Sequence, residues 1–411
     1  MHIGIAGPIA TRDVLALLED ASPELPAGTE GAPLLGTIIA ELLRRGHRVS
    51  AFTLSNDLPL RDDAGVVARG PSFELHYLPC RRRAWPFNGR RPGRIVDLYA
   101  FERRGLRSAM AAVRPAVIHA HWAYEYAWAA LRTGIAHVVT CHDSPVAVAR
   151  FERDLRHGGY RWLRAGMAWH VLRHARRVTV VSPYMADQVR SLCRAPINVV
   201  PNPIILRAEA AAAAPPVARA RVLMVFNGWG PRKNVAAGLR AFALLREQIP
   251  AAELHLYGHD TQEGGTAWRW WRDQGESGGI AFHGALAHDA LIEAMAASDL
   301  MLHPALEESF GAVLAEAMSV GLPVVAGSCS GAVPWVVGDA GLLVDVTRPR
   351  AMADAMLAVL ADPAAARAMG QRGRDRVRAN FSSDSVVTQY ERQYELALAE
   401  DSTPSLRSQV A

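Results

Sequence analysis

Short, nearly continuous apolar runs rich in β-branched residues alternate with stretches of helical period along the chain. In the first half the strand-like runs are HIGIAG, RVSAFT, FELHYLP, AVIHAH, HVVTCH, RVTVVS and INVVPN. Amphipathic stretches lie between them. In LLGTIIAELLRRG, for example, Leu34, Leu35, Ile38, Ile39, Leu42 and Leu43 fall three and four apart and share one helix face. A strand that is apolar on both faces has to be covered on both, and helices between successive strands do this for a parallel sheet. The pattern breaks at 206–219, LRAEAAAAAPPVAR, where Pro215 and Pro216 cannot continue a helix. It resumes in RVLMVFNG, ELHLYG, IAFHG, LMLHPA, PVVAGS and GLLVD. At 411 residues the chain is too long for one hydrophobic core and suits two. The expected fold is α/β: two Rossmann-like, doubly wound parallel-sheet domains facing across a cleft. Residues 1–205 form the first, 206–219 the interdomain linker and 220–382 the second, with a helical segment over 383–411.

Composition narrows the classes of function. Half the residues are hydrophobic and 21% are charged, which is globular rather than disordered. No apolar run reaches the ~18–20 residues of a membrane-spanning helix. MHIGIAGPIA enters a strand without a basic stretch or signal-peptide core. Cys80, Cys141, Cys193 and Cys329 are scattered, with no CxxC and no Cys/His pair at metal spacing. They read as buried free thiols in a reducing compartment, with the cytoplasm as the default. The net charge of +5 is uneven: CRRRAWPFNGRRPGRIVDLYAFERRGLR holds nine arginines against two acids. Its readings are a solvated face or a docking surface for anionic headgroups or a phosphorylated acceptor, with Arg81, Arg82 and Arg83 as the membrane contact. Nucleic acid is not expected, because no recognised binding motif accompanies the patch.

Open α/β sheets bind ligands beyond the carboxyl ends of their strands. HPALEESFGAVLAE, at 303–316, stands at such an end, with LMLHPA as strand, EESFG as turn and AVLAEAMSVG as helix. Glu308 lies in the loop and Glu316 about a turn into the helix. They are separated by too much chain to flank a single bond as a glycosidase pair does. The amides of Phe310, Gly311 and Ala312 open the helix, a ready anion site, and Gly311 has no side chain to block a phosphate. A sugar, a phosphate and a ribose bound in a row fit this stretch, and the reading is a nucleotide-sugar site.

The segment HPALEESFGAVLAEAMSVGLPVVAG also resembles the E-x7-E signature of family 4 glycosyltransferases, and SGAVPWVVGDAGLLVD resembles that family's next loop, helix and strand. RRGHRVSAF, AVIHAHW, VVTCHDSP, VTVVSPYMADQV and NVVPNPI match in the first half, in order. The resemblance implies the GT-B fold and a retaining, metal-independent enzyme that uses a nucleoside-diphosphate sugar. The absence of an Asp-x-Asp triplet agrees with metal independence. The resemblance also implies that Glu308 contacts the transferred sugar and Glu316 the ribose, with Ser309, Phe310, Gly311 and Ala312 at the phosphates. Lys233, in VFNGWGPRKN, would neutralise the diphosphate. The family's Gly-Arg is Asn227-Gly228 here, which leaves Arg232 as the substitute. His142 corresponds to the family's strand-end histidine beside the transferred sugar; Asp143, next to it, is a candidate for contacting the acceptor hydroxyl. Gly31 falls at the second glycine of the family's phosphate loop, with Glu30 at the first. The segment over 383–411 would pack back on the first domain.

Several positions stay open at this stage. His119 and His121 line the acceptor side or pack within the sheet. Trp268, Trp270 and Trp271 pack or form a platform. Trp335 stands where the family often has glutamate. The loop from Pro8 to Glu30 reads as a flap or an acceptor-specific insertion. The expected partners are the sugar nucleotide and a glycan or lipid-linked acceptor, in polysaccharide, lipopolysaccharide or glycolipid synthesis. The expected place is the cytoplasm, including the inner membrane face, with no cofactor and no metal. A glycan-binding scaffold and a nucleotide-sugar epimerase of the same fold are the alternatives.

Overall fold

A computed structural model describes residues 1–19, 24–62, 64–151, 154–206, 220–275 and 278–402. The chain divides into two compact units, Met1–Pro203 with Ser383–Ala411, and Ile204–Ser382. Residues 207–219 of the expected linker lie outside the described residues.

The first unit is built on β1 (His2–Ala6), β2 (Arg48–Ser55), β3 (Val66–Gly70), β4 (Phe73–Pro79), β5 (Val117–His121), β6 (His137–Cys141), β7 (Val178–Val180) and β8 (Ile197–Val199). Their order is β3-β4-β2-β1-β5-β6-β7-β8. Every pairing is parallel except the β3–β4 hairpin at the edge. Strand β3 is absent from the sequence reading. VVARG is short and partly exposed, and it lacks the doubly buried run that marks its neighbours.

The helices that cover this sheet follow the apolar spacing. Pro33–Arg44 begins with proline at its first position, where no amide hydrogen is needed, and buries Leu35, Ile38, Ile39 and Leu42. These meet Ile3, Ile5, Val49 and Leu75 in one core, together with Val386, Tyr390 and Tyr394 of helix Ser383–Ser402. Burying each large aliphatic side chain stabilises such a core by about 1.5–3 kcal/mol. Polar clamps reinforce the contact: Arg45 reaches Asp384 (2.7 Å) and Glu391, His47 reaches Glu391 (2.7 Å), and Arg177 reaches Gln393 (3.1 Å) and Glu400.

The second unit is built on β9 (Arg221–Val225), β10 (Glu253–Tyr257), β11 (Ile280–Gly284), β12 (Leu300–His303), β13 (Val324–Gly327) and β14 (Leu342–Val344). Their order is β11-β10-β9-β12-β13-β14, all parallel. Both sheets wind outward in two directions from a central strand, so each has a switch point where neighbouring loops part. It lies between β1 and β5 in the first unit and between β9 and β12 in the second.

The open positions resolve as packing in this unit. Trp271 is buried in the core, Trp270 lies against Trp229 (ring centroids 5.6 Å), and Arg272 sits over Trp268. The Trp335 ring packs on Phe381, while its carbonyl accepts from Arg376 Nη2 at 2.6 Å.

Two further expectations concern the first unit. The Pro8–Glu30 loop holds the short helix Thr11–Val14 and returns beside its own start, with Thr11 N donating to Ala27 O (2.9 Å) and Thr29 N to Ile9 O (3.0 Å). Gly28 makes that return possible, because a Cβ there would stand 2.2 Å from the Ile9 carbonyl oxygen. Arg81 corrects the docking expectation. It is fully buried and binds Glu102 (2.6 Å) and Asp97 (2.8 Å), so it cannot meet headgroups. Its guanidinium pins the 81–97 loop from within, and only Arg82 and Arg83 of the triplet are exposed.

Candidate active site

In the second unit, β9 leads through Gly228 (φ +80°) into a tight turn at Pro231–Lys233. Asn234 then takes the left-handed conformation (φ +51°). Its Nδ2 donates to Pro304 O (3.0 Å) and Val346 O (2.8 Å), which fastens this turn to the loop after β12. Leu306 N donates to Arg232 O at 2.8 Å, so the two loops run side by side.

Their charges then pair. Lys233 Nζ donates to Glu308 Oε1 at 2.6 Å, and Arg232 Nη1 to Glu307 Oε2 at 2.9 Å. The Glu308 backbone is held as well, donating to Ser330 O (3.3 Å) and accepting from Ala332 N (2.9 Å). His303 Nε2 stands 3.4 Å from Glu308 Oε1. Burial alone would push the Glu308 carboxyl up, but His303 and Lys233 outweigh it and hold the carboxyl well below its usual range. Its contribution to stability is therefore present above about pH 4.5 and is lost as the pH falls through the lowered value.

Gly311 caps the next helix, Ala312–Ser319, at φ +89°, which favours glycine there. The first-turn amides of that helix, beginning at Ala312, have no intrahelical acceptor, and the helix dipole favours an anion beside them. The Phe310 side chain is buried against Phe381 (5.4 Å), so this residue offers only its backbone. Ser309 lies in the same turn. Glu316, a turn further on, accepts from His288 Nε2 at 3.0 Å. Glu307, His303 and His288 escaped the sequence reading. The Glu-Glu doublet and the strand-end histidine were visible signals, whereas His288 sits on another helix, 28 residues away.

In the first unit His142 comes just after β6. His121 Nδ1 and His142 Nε2 are 2.9 Å apart, and the Trp122 ring lies 4.2 Å from that of His142. Burial pushes the His142 imidazole down to about 3, with Asn202 acting the other way, so the ring is neutral at pH 7. Burial also holds His119 and His121 well below the usual histidine value. His119 belongs to the core rather than to an acceptor surface. Its Nδ1 pairs with Tyr394 OH (2.8 Å) and its Nε2 with Thr140 Oγ1 (2.6 Å). His121 is equally buried and stands against His142.

Asp143 accepts from Tyr124 OH at 3.1 Å and lines a cavity of about 510 Å³ together with Gly28, Trp122, Tyr124 and Arg164. Two cavity residues, Tyr99 (φ +62°) and Trp122 (φ +64°), hold left-handed backbone without being glycine. Such strain concentrates at functional sites. Gly31 is exposed, with no atom within 4 Å of the place a Cβ would take.

Comparison with known proteins shows the same division. Residues 34–208 match the family described as Glycosyltransferase Family 4, and residues 219–362 the one described as Glycosyl transferases group 1. The N-acetyl-alpha-D-glucosaminyl L-malate synthase of Bacillus anthracis is 41% identical over 115 residues, 28% of this chain and 30% of that protein. The glycogen synthase of Mycobacterium tuberculosis (strain ATCC 25618 / H37Rv) is 27% identical over 290 residues, 67% of each. The chain thus spans less than a third of the first relative's length. Among solved structures, the sucrose-phosphate synthase from Thermosynechococcus elongatus superposes with a TM-score of 0.74 at 22% identity, over 97% of this chain and 100% of that one. At that identity the likeness shows the fold.

Proposed function

The chain belongs to glycosyltransferase family 4 and has the GT-B fold, and from that premise we propose that it transfers a glycosyl group from a nucleoside-diphosphate sugar to an acceptor hydroxyl. The observation that carries this reading is the cluster at the switch point of the second unit. Lys233, Arg232, Glu308 and the opening of helix Ala312–Ser319 converge there from loops distant in sequence.

In this mechanism the donor diphosphate lies against the helix amides, with Lys233 and Arg232 neutralising it. Glu308 accepts hydrogen bonds from the sugar hydroxyls, and Glu316 from the ribose. As the glycosidic bond breaks, negative charge grows on the leaving phosphate. Fixed donors aimed at that charge are the main source of acceleration. The leaving phosphate takes the proton of the incoming hydroxyl on the same face, which retains the configuration without a protein nucleophile. His142, uncharged, orients the sugar through hydrogen bonding, and Asp143 the acceptor. Charge neutralisation by side chains and amides removes the need for a metal.

A thermal-shift panel of UDP, GDP, ADP and dTDP sugars, with and without EDTA, tests donor binding. A ligand of the folded state raises the melting temperature by mass action. One nucleotide class should stabilise the wild type whether or not EDTA is present, and Glu316→Ala should lose the shift. No stabilisation by any of them would remove the reading.

The acceptor side belongs to glycan or glycolipid synthesis in this reading, at the cytoplasmic membrane face. No described helix is long and apolar enough to cross a membrane, and the exposed Arg82 and Arg83 would supply peripheral contact. Each basic side chain near an anionic surface contributes about 1 kcal/mol. The double variant Arg82→Gln/Arg83→Gln should therefore bind phosphatidylglycerol vesicles about tenfold or more weakly in co-sedimentation. Unchanged binding would withdraw the membrane contact.

A further inference from the structure

The cavity that Asp143 lines also holds arginines and tyrosines to which the transfer reading gives no role. Helix Leu155–His174 turns Tyr160, Arg161 and Arg164 towards it, residues that fall on one side of the helix by their spacing. Arg164 Cζ lies over the Tyr124 ring, 3.7 Å from its centroid, and its Nη1 donates to Glu125 Oε2 at 3.0 Å. Its Nε and Nη2 have no hydrogen-bond partner among the described residues. Burial works against the Arg164 charge, but Glu125 and the surrounding tyrosines outweigh it and hold its pKa above the ordinary value.

Arg161 lines the same cavity and pairs with no described residue. The acids around it are already engaged: Glu125 by Arg164, Asp143 by Tyr124, and Glu30 by Arg12 at 3.0 Å. A hydroxyl pair, Tyr99 and Tyr160 at 2.8 Å, stands beside these cations, with Arg94 Nε donating to Tyr99 OH at 3.2 Å.

We propose that this cavity binds an acceptor that carries an anionic substituent, a carboxylate or a phosphate, on a hydroxylated body. The substituent is held by Arg161 and the unpartnered N–H groups of Arg164. Guanidinium forks match both anions in bidentate geometry. The tyrosine hydroxyls and ring faces suit a polyol, and about 510 Å³ lies within the range of pockets for ligands of that size. The inference rests on the transfer reading and names its acceptor class.

The test uses the full chain and three probes that share one ring: glucose, glucuronate and glucose 6-phosphate. Affinities are measured by calorimetry at low salt, for the wild type and Arg161→Gln, with nucleotide binding measured in parallel. Arg161 has no partner among the described residues to lose, so its variant should keep the wild-type melting temperature. At least one anionic probe should bind about tenfold more tightly than glucose, and Arg161→Gln should remove that advantage. Whichever anionic probe binds distinguishes carboxylate from phosphate. Equal affinity for all three, no binding of either anion, or an anion preference that survives in Arg161→Gln would each overturn the proposal. If nucleotide still binds in those cases, only the acceptor class falls; if nucleotide does not bind, the transfer reading falls on its own.

Discussion

Arg81→Ala should destabilise the protein by about 3–5 kcal/mol, the usual cost of removing one partner from a buried ionic cluster. In a unit of this size that is a fall of roughly 10 °C in melting temperature. The Arg81 side chain is fully buried, and so is the Glu102 carboxylate it binds. Arg81 also holds Asp97, and Arg81 Nη1 donates to Pro92 O at 3.0 Å. Without it, Glu102 is left in a fully buried place without its guanidinium partner, and the 81–97 loop loses its anchor. Arg82→Ala and Arg83→Ala, on exposed side chains of the same triplet, should stay within about 0.5 kcal/mol of the wild type. The contrast is measured by denaturant unfolding of the three variants side by side. Equal effects at all three positions would mean that the arginine cluster is a uniform surface patch after all. Because Arg94 donates to the carbonyls of Arg81 and Arg82, Arg81→Ala should also loosen the cavity wall.

The second large effect is on rate. Lys233→Ala should lower the turnover number for glycosyl transfer by about 10²–10³-fold, the cost of removing one donor aimed at developing negative charge. The donor for this assay comes from the nucleotide panel, and the fall should appear mainly in kcat. A group that acts on the leaving phosphate is more strongly engaged in the transition state than in the bound substrate. Lys233 is held by Glu308, and both side chains are mostly buried. The pair keeps the cation in place and spares it a search through rotamers when the donor arrives. Turnover within threefold of the wild type would take Lys233 out of the mechanism.

Sequence carried the architecture well because parallel strands buried on both faces leave nearly unbroken apolar runs, such as AVIHAH and LMLHPA. It failed at β3, which is half exposed and pairs antiparallel at an edge. The geometry of the candidate site was legible where it depends on local chain: Gly311 at a helix cap, Glu308 and Glu316 on one loop and its helix. What stayed hidden was pairing across long sequence separations. Lys233 and Glu308 are 75 residues apart, and nothing in either segment announces that they touch. His119, at a strand end, stood open between the acceptor side and the sheet's interior. Its role was decided by Tyr394, 275 positions later, which closes over it as part of the core. Arg81 is the sharper lesson. Three consecutive arginines read as one charged feature, yet only burial tells the first from its neighbours.

The chain leaves its first compact unit at Pro203, completes the second, and re-enters the first at Ser383. Synthesis on the ribosome therefore makes the first unit in two instalments. When residue 203 emerges, the sheet's eight strands are all present, but Tyr390 and Tyr394 are not, and the apolar ground they cover is bare. His119 at that moment has no phenol to bond. The second unit, continuous in sequence, can close before the first does. The early half must be kept from aggregating for as long as about 200 further residues, to the end of helix Ser383–Ser402, take to be added, which at about 5–20 residues per second is some ten to forty seconds. In such a chain, order of manufacture and order of completion run in opposite directions.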